Sequence, residues 1–158
     1  MSKYATKAKE SVFYKARSEA SKFNDRLNSR EGASDELGID RTRLARIELG
    51  SIVPYPEEVL MMAEIYNAPE LKNHYCCEVC PLGRNWPKVE LESLDRISIK
   101  ALSTFRKIST VKESLLDIVE DGVITVDEKP ALDEVLKTLD EVTQVAQNLK
   151  VWIEKNMR

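Results

Sequence analysis

The rear half of this chain carries two apolar seams at heptad spacing. Leu94, Ile97, Ala101, Thr104, Ile108, Val111, Leu115 and Ile118 alternate steps of three and four. So do Leu132, Val135, Leu139, Val142, Ala146, Leu149 and Ile153. An α-helix returns residues at such steps to one face, and a strand does not, so the pattern specifies two long helices. Between the seams, Asp121-Gly122 ends the first helix, Thr125 or Asp127 caps the second, and Pro130 is tolerated in the first turn. The expected product is an α-hairpin with arms of ~45 Å at 1.5 Å per residue. Two helices can cover only one face of each other. The first arm has a second apolar row, Leu102, Phe105, Leu116 and Val119, and leaving it in water would cost roughly 1.5–3 kcal/mol per large side chain. The expectation is a homodimer through residues 89–156, paired as a four-helix bundle.

The front half reads as five short helices. The first falls within Thr6–Phe23, with Val12, Phe13, Ala16, Ala20 and Phe23 on one face. A polar stretch, Asn24–Asn28, follows. Ser29 looks like the cap of a second helix, Arg30 to Leu37, and Gly38 stops it by taking φ > 0. Asp40 can cap a third helix that runs from Arg41 to Glu48 or Leu49 and ends at Gly50. Pro56 suits the first position of a fourth, which buries Val59, Leu60, Met62, Ala63 and Tyr66. Glu70-Leu71 opens a short fifth, and Cys76–Pro87, with Pro81, Gly83 and Pro87, has no helical period. The fold class is therefore all-α: a front domain over residues 1–83, a linker over 84–88, and a hairpin over 89–158.

Helices two and three meet the steric demands of a helix-turn-helix. Ala33 and Ser34 are small, Gly38 makes the turn, Ile39 plugs the core, and Leu44 and Ile47 face inward. The outward positions of the third helix are Arg41, Thr42, Arg43 and Arg46. Arginine bonds guanine O6 and N7 bidentately and neutralises phosphate, so this ridge suits the major groove of double-stranded DNA. Charge leans the same way. Residues 1–50 carry 11 Lys/Arg against 8 Asp/Glu, residues 51–100 carry 5 against 8, and residues 101–158 carry 8 against 11. Only the front is basic.

Gly38-Ile-Asp-Arg-Thr-Arg-Leu-Ala-Arg-Ile-Glu-Leu-Gly50, then Pro54 and Glu58–Tyr66, resembles the XRE family of lambda-repressor/Cro-like helix-turn-helix regulators of bacteria and phages. Asn67-Ala-Pro-Glu-Leu71 and Tyr75–Gly83 look like a subgroup with a Cys-Pro-[Ile/Leu]-Gly tail after the fifth helix. The likeness covers about residues 11–83. It implies a five-helix DNA-binding domain in which Arg41, Thr42 and Arg46 read bases and Arg43 meets phosphate. Ser29 and Arg30, at the start of helix two, are implied phosphate contacts. A structural pair, Arg17 in helix one with Glu48 before Gly50, is also implied. Serine stands at position 34 where the family usually has alanine.

Other signals are weaker. His74, Cys76, Cys77 and Cys80 could supply zinc ligands, shared across two chains because one set is incomplete. They could also form a redox pair, but the plainer reading is thiols that pack a turn, and the resemblance favours Cys76 and Cys80 as structural. Three clustered cysteines exclude a disulfide scaffold. Asp117, Asp121, Gly122, Ile124 and Glu128 partly fit a calcium loop, but Val119 occupies a ligand position. No phosphate loop, nucleophile elbow or paired-carboxylate motif appears, so neither an enzyme nor a cofactor is expected. No apolar run nears the ~18 residues of a membrane span, and the N-terminus has no h-region. A cytoplasmic location is expected.

Taken together, these signals point to a homodimeric transcriptional regulator, by family habit a repressor, on a pseudo-palindromic operator. The rival expectation is an antitoxin or anti-repressor whose hairpin binds a protein partner.

Overall fold

Helix boundaries in the front half follow local capping chemistry. The computed structural model describes residues 10–119, 122 and 124–157. Within them the order is α1 (Val12–Ala20), a 3-10 turn (Asp25–Asn28), α2 (Arg30–Leu37), α3 (Arg41–Glu48), α4 (Pro56–Ile65) and α5 (Glu70–His74). Residues 6–9 of the expected first helix lie outside the described residues. The Asn24 side chain accepts from the Arg26 amide at 3.1 Å, Ser29 from Gly32 at 3.0 Å, and Asp40 from Arg43 at 2.9 Å. Each supplies an acceptor to an amide that the first helical turn leaves without one. Gly38 turns the chain at φ +64°, a left-handed conformation that disfavours side chains. The Ile39 amide then reaches back to the Ser34 carbonyl at 3.2 Å. The Ser34 hydroxyl donates to the Ile39 carbonyl, a second tie across the turn that alanine could not make.

Leu27, Ala33, Leu37, Leu44, Ile47, Val59, Met62 and Leu71 form the buried centre of this front unit, with Phe13 and Tyr66 at its edge. Gly32 is required by close approach: a Cβ there would overlap the Arg26 carbonyl oxygen of the 3-10 turn. Two expected core residues are not in the core. Phe23 is 92% exposed, because α1 ends at Ala20 and the chain then folds back to insert Leu27 instead. Leu60 is 57% exposed, because α4 turns Glu58, Val59, Met62 and Ala63 inward and leaves position 60 outside that face. After α5 the chain continues through a π turn (Tyr75–Val79) and a 3-10 turn (Pro81–Gly83). This segment, expected to be irregular, belongs to the front unit, which ends at Trp86.

The rear unit begins at Pro87. An extended strap leads into α6 (Leu94–Val119), and α7 (Lys129–Asn156) returns antiparallel as a hairpin. Lys107 Nζ and Glu141 Oε2, 2.7 Å apart, tie the arms at mid-length. The buried face departs from the expected seams. On α6 it holds Ile97, Thr104 and Ile118, and on α7 Val135, Thr138, Val145, Asn148 and Val151. Leu139, Ala146 and Ile153 are exposed. The polar residues can enter because their groups find partners. Thr104 Oγ1 donates to the Lys100 carbonyl at 2.9 Å and Thr138 Oγ1 to the Glu134 carbonyl at 3.0 Å. Asn148 Oδ1 accepts from the Glu90 amide of the strap and from Gln144 Nε2, both at 3.1 Å.

The displaced apolar residues make an open row on each arm: Leu94, Ile108 and Leu115 on α6, Leu139, Ala146 and Ile153 on α7. In each helix this row leads the buried row in the same rotational sense. Antiparallel neighbours therefore present both rows on one flank of the hairpin. Leu102, Phe105, Leu116 and Val119 widen the α6 side of that flank, and each is more than half exposed. The hairpin turn also differs from expectation. Glu128 precedes α7 and makes no capping bond, while Thr125 donates to Glu128 Oε2 from both its amide and its hydroxyl at 2.7 Å. Asp121 lies outside the described residues. Among the described residues no helix is long and apolar enough to cross a membrane.

Candidate nucleic-acid interface

Helix α3 turns Leu44, Ile47 and Glu48 inward. With 3.6 residues per turn, Thr42 and Arg46 then fall on the opposite side, one turn apart, with Arg41 at the leading end. All three are exposed. Among the described residues neither Arg41 nor Arg46 has an ion-pair partner. Their guanidinium groups therefore face water with their donors available. The neighbouring helix α2 is acidic, with Glu31, Asp35 and Glu36. Arg26 engages one of these, donating from Nη1 to Glu36 Oε1 at 2.5 Å. The free positive charge of the helix pair thus belongs to α3.

Arg30, expected at phosphate, is shared with the interior. Glu48 is fully buried at 0% exposure and accepts from two arginines. Arg17 Nε lies 2.5 Å from Glu48 Oε1 and Arg17 Nη2 3.1 Å from Oε2, while Arg30 Nε reaches Oε2 at 2.6 Å. Arg17 Nη1 also donates to the Leu27 carbonyl at 2.8 Å, which fastens α1 to the 3-10 turn. Burial opposes the charge on Arg17, but the Glu48 hydrogen bond and charge outweigh it and raise its pKa above the ordinary arginine value. Burial, and then Glu48, push the Tyr66 hydroxyl above its ordinary value. Ser29 spends its hydroxyl oxygen on the Gly32 amide. At this corner the structure brings together Arg17, Arg30 and Glu48, with Ser29 next in chain at the start of α2.

Arg43, expected at phosphate, is also engaged within the fold. Its Nε and Nη2 donate to the two oxygens of Glu58 at 2.5 and 2.8 Å. Its guanidinium also stacks over the Tyr55 ring, 4.1 Å from the centroid. It ties α3 to the start of α4. The Arg43 hydrogen bond holds the Glu58 carboxyl below its ordinary 4.5 against the effect of burial, and the Tyr55 amide adds to this. Sequence spacing could not identify Glu58 as the partner, because the two stand 15 positions apart across a loop. One local signal was present: Glu58 stands three residues after Tyr55, where its side chain accepts from the Tyr55 amide at 2.6 Å.

Cys76, Cys77 and Cys80 are free thiols on the π turn and just beyond it. Cys77 is buried and lies 3.6 Å from the Trp86 carbonyl. The His74 ring packs edge-on against Phe13, with centroids 6.0 Å apart. Among the described residues no three His, Cys, Asp or Glu side chains converge as a metal ion would need. Asp117, from the expected calcium loop, sits within α6.

Neither the known family models, nor the curated proteins, nor the solved structures contain a match to this chain.

Proposed function

We propose that the chain is a sequence-specific DNA-binding transcriptional regulator of the XRE type, acting as a homodimer and by family habit as a repressor. The observation that carries the reading is the exposed, unpaired ridge of Arg41, Thr42 and Arg46 on a helix whose other side is fully seated in the core. A helix so held can enter a major groove without unfolding anything. Arg41, Thr42 and Arg46 read bases in this scheme. Ser29 and Arg30 lie against phosphate through the amides at the start of α2 and the Arg30 donors not used by Glu48. Arg43 braces the reading helix through Glu58 and presents its outer edge to phosphate. The open flank of the hairpin supports the homodimer, since pairing two such flanks gives a four-helix bundle with a closed core.

Selection from genomic fragments tests this. A single class of fragments should be retained, with binding that weakens steeply as salt rises. Arg46→Ala or Arg41→Ala should cost about 1–3 kcal/mol at defined base pairs. The exposed apolar flank also supports a second reading, a protein-interaction module of the antitoxin or anti-repressor kind. In that case no fragment class is retained.

A further inference from the structure

The open flank runs the whole length of the hairpin. On α6 its exposed residues reach from Leu94 to Val119, and on α7 from Leu136 to Ile153. Burial of hydrocarbon is non-directional, so these rows close equally well against a second flank pointing either way. Charge is distributed differently. The Lys107–Glu141 pair marks the mid-height of the hairpin. Toward the turn, the described residues among 107–141 carry four Lys against eight Asp/Glu, a net of −4. Toward the other end, those among 87–106 and 142–157 carry six Lys/Arg against four Asp/Glu, a net of +2.

The two ends of one hairpin are therefore of opposite sign. A second copy laid on with the turns together sets two acidic ends side by side, and like charges so placed repel. Turned end for end, the acidic end of each copy lies over the basic end of the other. A flank with this polarity is its own complement under a two-fold rotation across the helices, which is what an isologous pair requires. The edge of the flank repeats the pattern on a smaller scale. Lys150 stands one helical turn from Ala146 and Ile153, and Asp133 one turn before Leu136. Both are exposed, and among the described residues neither has an ion-pair partner. Lys150 lies eight residues beyond Val142 and Asp133 nine residues before it. Reversing α7 about that level brings Lys150 of one copy to within a residue of Asp133 in the other.

We propose that the hairpin flank pairs with a second copy of this chain end for end, the turn of each hairpin lying over the strap end of the other. This deepens the homodimer reading and rests on it. The two-fold axis crosses the helices at mid-height, so α6 lies over α6 and α7 over α7, with Lys150 against Asp133 twice, once on each side of the axis. The apolar rows supply the area of the interface, and the charge polarity selects its direction.

A charge-swap cycle on the full chain tests this by sedimentation equilibrium. Lys150→Asp or Asp133→Lys alone should weaken self-association about fivefold, because each sets like charges together at two symmetry-related places. The two changes combined should return it to within about twofold of the parent. Along one α7 the positions are 17 residues apart, ~26 Å at 1.5 Å per residue. That exceeds the roughly 8–10 Å over which exposed charges escape screening, so restoration can come only from a second copy lying end for end. A photo-reactive p-benzoylphenylalanine in place of the exposed Val126 gives an independent reading. In the covalent dimer it should be joined to the second copy within residues 87–106 or 142–158. Joining turn to turn, or single effects that add with no restoration, would overturn the end-for-end arrangement and leave the homodimer standing. A parent chain that sediments at 18.0 kDa would remove both.

Discussion

The front unit buries charge and the rear unit exposes hydrocarbon. In the front, Arg17 and Glu48 sit inside a core closed around them, with Arg30 reaching in from the edge. In the rear, Thr104, Thr138 and Asn148 are buried while Leu102, Phe105, Leu116 and Leu139 stand in water. The front cluster draws its hydrogen bonds from separate elements: Arg17 of α1, Arg30 of α2, Glu48 of α3 and the Leu27 carbonyl of the 3-10 turn. The rear hairpin bonds Thr104, Thr138 and the Asn148 oxygen locally, through helix carbonyls and the strap, and leaves an apolar flank exposed. An incomplete apolar layer leaves an exposed flank, which is the feature the proposed homodimer would cover.

The largest expected effect tests the closed interior. Glu48→Leu leaves Arg17 buried without its counter-ion, which should cost about 3–5 kcal/mol. Calorimetry should show the front unit melting at lower temperature while the hairpin transition stays in place. If both transitions move together, the two units are not energetically separate and the comparison breaks. Next comes the open flank. Phe105→Glu with Leu116→Glu should weaken self-association by about 1.5–3 kcal/mol per side chain, read by sedimentation equilibrium, with helix content unchanged. A parent chain that sediments at its 18.0 kDa monomer mass would remove the dimer, and the flank would need another occupant.

A pair of arginine variants sharpens the comparison within the front unit. Arg46→Ala should leave stability within about 0.5 kcal/mol, as for surface positions without partners, while weakening DNA binding. Arg43→Ala should lower the front unit's melting temperature, because α4 loses its tie to α3. The smallest effect is the pH response of that tie. Glu58 is held below its ordinary 4.5 in the folded chain, so as pH falls the unfolded carboxyl protonates first. The contribution is present above about pH 4.5 and fades as pH drops through the lower folded value. In urea titrations from about pH 6 to about pH 3, Glu58→Gln should flatten the acid limb of the front unit's stability.

Much of the front unit was legible because its punctuation is local. Ser29, Gly38 and Asp40 act within three to five residues of themselves, and α2 and α3 begin and end at the residues they dictate. Leu27 was not legible, because a lone leucine in Asn24–Asn28 shows no period and is buried only once α1 and α2 frame it. The candidate interface was legible as an outward ridge on α3. What spacing could not supply was which arginines would be claimed by acids elsewhere in the fold: Arg43 by Glu58 and Arg30 by Glu48. In the rear, hydropathy marked the two helices but not the rotation of α7. That rotation depends on Asn148 meeting the strap and on threonines bonding their own helix, neither of which changes the count of apolar residues.

By itself, the sequence determined that this protein is of the all-α class, where its short helices start and stop, and that the rear half is a hairpin of long arms. Those outcomes depend on periodicity and on groups a few bonds apart. The tertiary structure alone decided which arginines stay free, which face of α7 is covered and where the apolar flank opens. Those outcomes depend on groups far apart in the chain competing for the same partners, and only the folded geometry brings them within reach.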